Sequence, residues 1–162
     1  MPGKTKNPQT GSPSWASSPG VRRSMQSNKS RDTKPELQLR SAAHRLGLRY
    51  RVSARPLPHL RRTADLLFTK AKIAVFVDGC YWHGCPQHHT VAKTNAKFWA
   101  DKVETNRRRD RETTALLEQE GWLVIRIWEH EPMKEVAVTL FKEWTRRCAT
   151  FGVASSGERG AR

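Results

Sequence analysis

The spacing of apolar residues predicts a helix at the start of the folded part of the chain. Between Thr33 and Gly47 apolar side chains recur at the period of one helical face, and glycine is a common residue just past a helix end. The apolar residues of this stripe are Leu39, Ala43 and Leu46. Thr33 and Glu36 stand three residues apart at its start, which fits a capping box.

Shorter apolar runs predict strands after this helix. Residues 48–52 alternate apolar side chains with arginine, as a half-buried strand does. After a basic loop at residues 55–62, the apolar runs 64–68 and 73–77 are separated by Thr-Lys-Ala-Lys. They predict a hairpin whose second strand is buried on both faces.

The second half of the chain has a different pattern. Residues 78–94 form a loop crowded with cysteine and histidine, and a long polar helix from about 95 to 120 ends at Gly121. Residues 122–128 predict a strand and residues 133–148 an amphipathic helix. The predicted order α-β-β-β-α-β-α indicates an α/β fold in which helices flank a mixed β-sheet.

Composition adds a partner class and domain limits. The 162 residues carry a formal net charge of +15, which favours a polyanion as partner, although a solvated basic surface gives the same number. Residues 1–24 and 151–162 are poor in apolar side chains and predict a disordered basic arm and a disordered tail around a folded domain at 25–150. No stretch approaches the roughly 20 apolar residues of a membrane span, and we see no secretory signal.

The three cysteines point to metal binding. Their number is odd and two of them lie among histidines, which is typical of a reduced, intracellular protein rather than a disulfide framework. Cys80, Cys85 and His88 have spacings at which a tight loop wraps around zinc, and His130 is the best remote fourth ligand. On spacing alone His83 or His89 could replace His88, and the alternative is a loop without a metal.

Carboxylates, aromatic rings and arginines suggest further sites. Asp65 begins one hairpin strand and Asp78 follows the other, so both are candidate Mg²⁺ ligands, or else turn-forming residues. The aromatic pairs at 81–82 and 98–99 form either a platform for stacking on bases or a small satellite core. The basic helix around residues 106–111 is either solvated or follows a phosphate backbone.

Three motifs together resemble one family. FVDGCYWHGCP at 76–86, then Asn106-x-x-Arg109-Asp110, then Gly121-Trp122-x-Val124-x-x-x-Trp128-Glu129 are similar in identity and order to the very-short-patch repair (Vsr) endonucleases. The resemblance implies a restriction-endonuclease-like fold with a structural zinc. It also implies an intracellular, nucleoid-associated enzyme, expected to be monomeric. Such an enzyme uses Mg²⁺ to nick double-stranded DNA 5′ of the thymine in a T·G mismatch, the product of 5-methylcytosine deamination.

The same resemblance implies catalytic roles. Asp65 matches the carboxylate that bridges metal ions, and Val77 a residue whose backbone carbonyl completes the metal shell. His83 matches a histidine that acts on the attacking water or the scissile phosphate. Glu36 matches a catalytically important helix carboxylate, a role that competes with the capping box. Asp78 stands where the best-known member has histidine, which makes it a candidate further metal ligand.

For zinc, the resemblance places Cys80 and His130 on ligand positions, although His130 replaces a cysteine of the best-known member. Cys85 and His88 correspond to the other two ligands after a small shift within the loop. Ala64 replaces the proline of the usual Pro-Asp start, a change we expect to be tolerated.

For DNA, the resemblance implies a wedge of aromatic rings that enters beside the mismatch, exposed in the free protein. Its residues are Tyr81, Trp82 and Trp99. Met25 matches a residue that intercalates from the other side. The predicted backbone contacts come from Arg107, Arg108 and Arg109. Two alternatives remain: a related nuclease of a restriction-modification system with another target, and a zinc-containing DNA-binding module without catalysis.

Overall fold

The computed structural model describes residues 31–152. The predicted arm at 1–24, Met25, which is predicted to intercalate, and the tail beyond residue 152 lie outside this range. Among the described residues, no helix has both the length and the apolar character that crossing a membrane requires.

Seven elements occur in the predicted order. They are α1 (Lys34–Arg45), β1 (Arg51–Ala54), β2 (Ala64–Phe68), β3 (Ile73–Asp78), α2 (Ala96–Gln119), β4 (Leu123–Trp128) and α3 (Met133–Thr150). The strands lie in the order β1-β2-β3-β4; the pairs β1/β2 and β2/β3 are antiparallel, and the pair β3/β4 is parallel. The prediction of a mixed sheet flanked by helices is confirmed.

The prediction of the first strand was wrong in position. Residues 48–50 precede β1, and Leu48 packs against α1 just after the helix ends. Gly47 has a φ of +83°, and the Leu48 N–H donates to the Ala43 carbonyl at 3.1 Å. The Leu48 side chain is then fully buried beneath the helix, as the residue after a helix-ending glycine often is.

Each face of the sheet has its own core, because side chains of a strand alternate between faces. Ile73 and Val75 of β3 pack with α1 and α3, whereas Ala74 and Phe76 pack with the end of α2. The second hairpin strand is therefore buried on both faces, as predicted. This alternation continues to the end of β3, where the candidate functional residues begin.

Candidate active site and metal centre

Asp65 and Asp78 lie at one end of the sheet, as their strand-end positions predicted. Because β2 and β3 are antiparallel, the start of β2 lies beside the end of β3. Asp65 Oδ2 accepts a hydrogen bond of 2.7 Å from the Val77 N–H. The N–H and C=O of a strand residue point to the same side, so the Val77 carbonyl faces the side on which Asp65 lies.

Asp65 is a carboxyl group that is costly to ionise. Burial raises its pKa to about 6, and the charges of Glu36 and Asp78 act in the same direction. The Val77 hydrogen bond and the Arg40 charge oppose this rise without cancelling it. Crowded carboxylates of this kind are oxygen ligands that a hard divalent cation would stabilise.

Glu36 is buried beside this group and is held from three sides. Its carboxylate accepts from the Asp32 N–H at 2.9 Å, the Thr33 hydroxyl at 2.8 Å and Arg40 Nη2 at 2.9 Å. Thr33 makes no side-chain cap bond to the helix, and the backbone N–H that Glu36 binds is that of Asp32, so the capping-box prediction is wrong. The Thr33 hydroxyl instead fixes Glu36, whose position near Asp65 is compatible with the functional role.

His83 is held by Asp110, an aspartate of the second motif to which sequence analysis assigned no role. Its Nδ1 lies 2.6 Å from Asp110 Oδ2 and 3.8 Å from Asp78 Oδ1. Burial lowers the pKa of His83, but the bond to Asp110 and the charge of Asp78 outweigh it and raise the pKa above its ordinary value. Burial raises the pKa of Asp110, but the contacts with His83 and Arg126 have the larger effect, so this pKa lies below its ordinary value.

Asp78 is held by a second residue that sequence analysis missed. Arg126 of β4 donates from Nε and Nη2 to the two oxygens of Asp78, both at 2.7 Å, and Nη2 also lies 2.7 Å from Asp110 Oδ1. An arginine within the otherwise apolar strand 122–128 was the available signal. For Asp110 the signal was its place one helical turn after Asn106, whose side chain donates to the Trp82 carbonyl at 2.8 Å.

The structure brings together the four residues predicted to bind zinc. The nearest ligand atoms of Cys80, Cys85, His88 and His130 all lie within 4.8 Å of one another. Cys80 Sγ is 3.0 Å from His130 Nδ1, and Cys85 Sγ is 3.8 Å from Nδ1 of both His88 and His130. Two sulfurs and two imidazoles at these separations fit a tetrahedral zinc site.

The alternative histidines lie elsewhere. His83 faces Asp110, and His89 packs its ring 5.9 Å from the ring of Tyr81. His130 reaches the cluster because β4 runs parallel to β3, with Trp128 paired to Asp78. Residues two positions beyond each strand, Cys80 and His130, therefore meet at the same edge.

The three predicted wedge rings form one mutual cluster. Their centroids are 5.4 Å apart for Tyr81 and Trp82, 5.6 Å for Tyr81 and Trp99, and 5.7 Å for Trp82 and Trp99. The expectation that all are exposed was wrong for Trp99, which is only 7% exposed. Tyr81 and Trp82 are partly exposed, whereas Trp99 is buried and its ring packs against both of theirs.

The three predicted backbone-binding arginines are exposed on α2, but they differ in their contacts. Arg107 donates to the His83 carbonyl at 3.2 Å and also to the Gly84 carbonyl, so it fastens the loop that carries the cysteines and histidines to the helix. Arg108 lies 3.9 Å from Glu112 in an exposed pair one turn along. An exposed pair of this kind contributes little to stability, which leaves Arg108 available to a phosphate.

A mixed sheet with buried carboxylates at one end, beside an aspartate-held histidine and a basic helix, is an arrangement suited to phosphodiester hydrolysis. These features define a nuclease-like site.

The chain belongs to the Vsr family, because the family model described as DNA mismatch endonuclease Vsr matches residues 19–101. It is thus a member of a DNA endonuclease family, and the resemblance found in the sequence is confirmed.

Three curated relatives each match a larger share of the chain than the family model does. The type II nicking enzyme V.NaeI of Lentzea aerocolonigenes is 42% identical, over 75% of this chain and 74% of the relative. The type II nicking enzyme V.NmeDIP of Neisseria meningitidis serogroup C is 47% identical, over 68% and 74%. The DNA mismatch endonuclease Vsr of Escherichia coli (strain K12) is 31% identical, over 75% and 81%.

Proposed function

We propose that this chain nicks one strand of double-stranded DNA, 5′ of the thymine in a T·G mismatch, by Mg²⁺-dependent hydrolysis. The observation that carries the proposal is the site at the end of β3. There Asp65 lies among Glu36 and Asp78, and His83 is held against Asp110. The name of the Escherichia coli relative favours a mismatch as the substrate.

Asp65 and the Val77 carbonyl are the groups that would hold Mg²⁺, with Glu36 close behind. When bound there, Mg²⁺ supplies positive charge to the scissile phosphate and to the attacking water. These groups fit Mg²⁺ because both offer hard oxygen atoms. In addition, the charges around Asp65 do not fully balance its ionised carboxylate.

His83 is suited to take a proton from the attacking water. A carboxylate only accepts hydrogen bonds, so the 2.6 Å contact with Asp110 puts the proton of a neutral ring on Nδ1. Nε2 is then the basic atom. A histidine has an ordinary pKa close to neutral pH, and the raised pKa of His83 makes its neutral ring a stronger base.

Tyr81 and Trp82 are proposed to insert beside the mismatch, while Trp99 supports them. Unstacking a base step costs about a few kcal/mol and costs least at a mismatch, which gives one source of selectivity. The exposed arginines of α2 would contact phosphates and position the duplex.

Cys80, Cys85, His88 and His130 are proposed to hold one structural zinc. Zinc requires deprotonated thiols. When no cation is bound, the pKa of Cys80 is raised to about 11, mainly by burial and next by the neighbouring Cys85. A cation is thus what makes two buried thiolates compatible. The third cysteine, Cys148, lies in the core between α1 and α3 and offers a control that should not change zinc content.

A second candidate function is nicking within a restriction-modification system with another target. Two relatives that are more similar in sequence than the Escherichia coli protein carry the name type II nicking enzyme. The two candidates differ in substrate, so a panel of matched, T·G and other mismatched duplexes in several flanking sequences separates them. Nicking of a T·G duplex at the predicted position supports the first; cleavage independent of the mismatch contradicts it.

The catalytic proposal itself is tested by Asp65→Asn. If Asp65 holds Mg²⁺, nicking is lost while T·G binding, measured by fluorescence anisotropy, is retained. Nicking that survives at the wild-type rate would show that Asp65 does not hold the catalytic Mg²⁺, whereas a wild-type chain that binds DNA without nicking it would leave the zinc-containing DNA-binding module. Parallel loss of binding and nicking would show that Asp65 is needed for the fold.

A further inference from the structure

Arg126 is an arginine inside a largely apolar strand, and none of the roles proposed above requires it. In the parallel pairing of β3 with β4 it lies opposite Phe76, and its guanidinium carbon is 5.0 Å from the centroid of that ring. Asp78 lies two residues further along β3 on the same face, so Asp78 is a diagonal neighbour of Arg126. The two form a bidentate ion pair with both bonds at 2.7 Å.

The guanidinium also reaches a third element. Nη2 lies 2.7 Å from Asp110 Oδ1, while the other oxygen of Asp110 lies 2.6 Å from His83 Nδ1. A continuous chain of polar contacts therefore runs from Asp78 of β3 through Arg126 of β4 and Asp110 of α2 to His83. The Phe76 ring and Asp78 fix the orientation of the guanidinium plane, and the guanidinium in turn fixes Asp110.

We propose that Arg126 is a positioning residue of the nicking reaction, which holds Asp110 where that carboxylate orients the His83 ring. The proposal rests on the proposed function, in which His83 acts on the attacking water. It also assigns Asp78 a different role from metal binding, because both of its oxygens serve the guanidinium. Lysine could not replace Arg126, since a single ammonium lacks the planar fork that satisfies two carboxylates at once.

The same contacts argue against a metal ion between these residues. Ligand atoms of Asp78, His83 and Asp110 lie within 4.8 Å of one another, a spacing that would suit a cation. The guanidinium of Arg126 already contacts both carboxylates and is always charged. It supplies the positive charge that this carboxylate pair requires, so a second cation there would be repelled.

The test uses the full chain loaded with zinc and three variants. Arg126→Gln removes the guanidinium. The double variant, Asp78→Asn with Arg126→Gln, also removes the charge of Asp78, so that folding is not destabilised by a buried carboxylate without its partner. Arg146→Gln is the matched control, because Arg146 also pairs with a carboxylate, Glu143, but on the exposed surface of α3. Single-turnover nicking of a T·G duplex is measured with enzyme in excess and over a series of Mg²⁺ concentrations. The His83 ring is observed by ¹⁵N NMR at a pH where it is neutral.

In the single and the double variant we expect nicking to slow about 10- to 100-fold, as when a partner that orients a functional histidine is removed. T·G affinity and the Mg²⁺ concentration for half-maximal rate should stay at the wild-type values. The ring should change from the Nδ1–H tautomer to a mixture with the Nε2–H tautomer. Arg146→Gln should behave as wild type in every measurement.

Two results would overturn the proposal. One is a double variant with wild-type nicking and an unchanged Nδ1–H tautomer. The other is a higher Mg²⁺ requirement in the double variant, which would make Asp78 a metal ligand. If the wild-type chain nicks no T·G duplex, the proposed function fails, whereas the tautomer of His83 in the variants still decides whether Arg126 positions the ring.

Discussion

Replacing Asp65 by asparagine should make the protein more stable without Mg²⁺, although it abolishes nicking. The pKa of Asp65 is about 6 in the folded chain, against 3.8 as the ordinary value. Between these two pH values the folded chain binds more protons than the unfolded chain, so the free energy of unfolding falls as pH rises. The penalty is absent below the ordinary pKa and complete above about pH 6.

The size of the effect follows from the shift. At about 1.4 kcal/mol per pKa unit, the ionised carboxylate costs at most about 3 kcal/mol at neutral pH. Asparagine avoids this cost and keeps an oxygen that can accept the Val77 N–H bond. At pH 5, one unit below the folded pKa, the advantage of the variant over wild type should shrink by about 1.4 kcal/mol.

Urea unfolding followed by tryptophan fluorescence measures both quantities. Wild type and variant are compared at pH 7.5 and at pH 5 in buffer without chelator, so that bound zinc is retained and its own pH dependence cancels in the difference. Asp101→Asn is the control, because Asp101 is an exposed carboxylate paired with Lys97 on α2. Added Mg²⁺ should stabilise wild type and not Asp65→Asn. A variant less stable than wild type at pH 7.5, or an advantage that does not depend on pH, would refute the reasoning.

Three further predictions concern the zinc, the loop and the rings. Cys85→Ser should lose the zinc found by elemental analysis and melt at a lower temperature; zinc retained at one per chain would contradict the ligand assignment. Gly84→Ala should cost about 2 to 4 kcal/mol in urea unfolding, because its φ is +65° and a Cβ would lie within 2.7 Å of neighbouring side-chain atoms. Gly152→Ala, with a φ of +62° and open space around it, should cost only about 1 kcal/mol, and equal costs would count against the steric argument. Trp99→Ala should lower stability by about 3 to 5 kcal/mol. Trp82→Ala should weaken T·G binding about tenfold with little change in melting temperature, and the reverse pattern would exclude the wedge.

The elements with an unambiguous pattern of apolar and polar residues were predictable. β3 is apolar at every position from Ile73 to Val77, and α2 is long and polar, so each has few alternative structures. The beginning of β1 was not predictable from alternation, because Leu48 alternates correctly with Tyr50 but is needed to cover the end of α1. A local pattern cannot distinguish these two uses of one leucine.

The cluster of cysteines and histidines was predictable because most of it lies close together in the sequence, whereas the network around His83 was not. Cys80, Cys85 and His88 lie in one short loop, and His130 follows the strand that pairs with the strand before that loop. Asp110 and Arg126 meet through the rotation of α2 about its axis and the register of β4 against β3. Neither quantity can be inferred from local spacing, so these two charges looked like surface residues of a basic protein.

The end of β3 explains how one short strand positions both halves of the candidate site. Side chains alternate between faces, so Val77 packs towards α1, where Glu36 lies, whereas Asp78 points to the side of α2 with Phe76 and Arg126. Asp65 lies close enough to Glu36 and Arg40 of α1 for their charges to change its pKa, and the histidine held by Asp110 lies on the α2 side. A DNA phosphate at this edge would lie between oxygen ligands for a cation and a base for the attacking water. A slip of one residue in the register of β3 would exchange the two faces. The register of β3 against β2 and β4 is therefore as necessary to the chemistry as the carboxylates themselves.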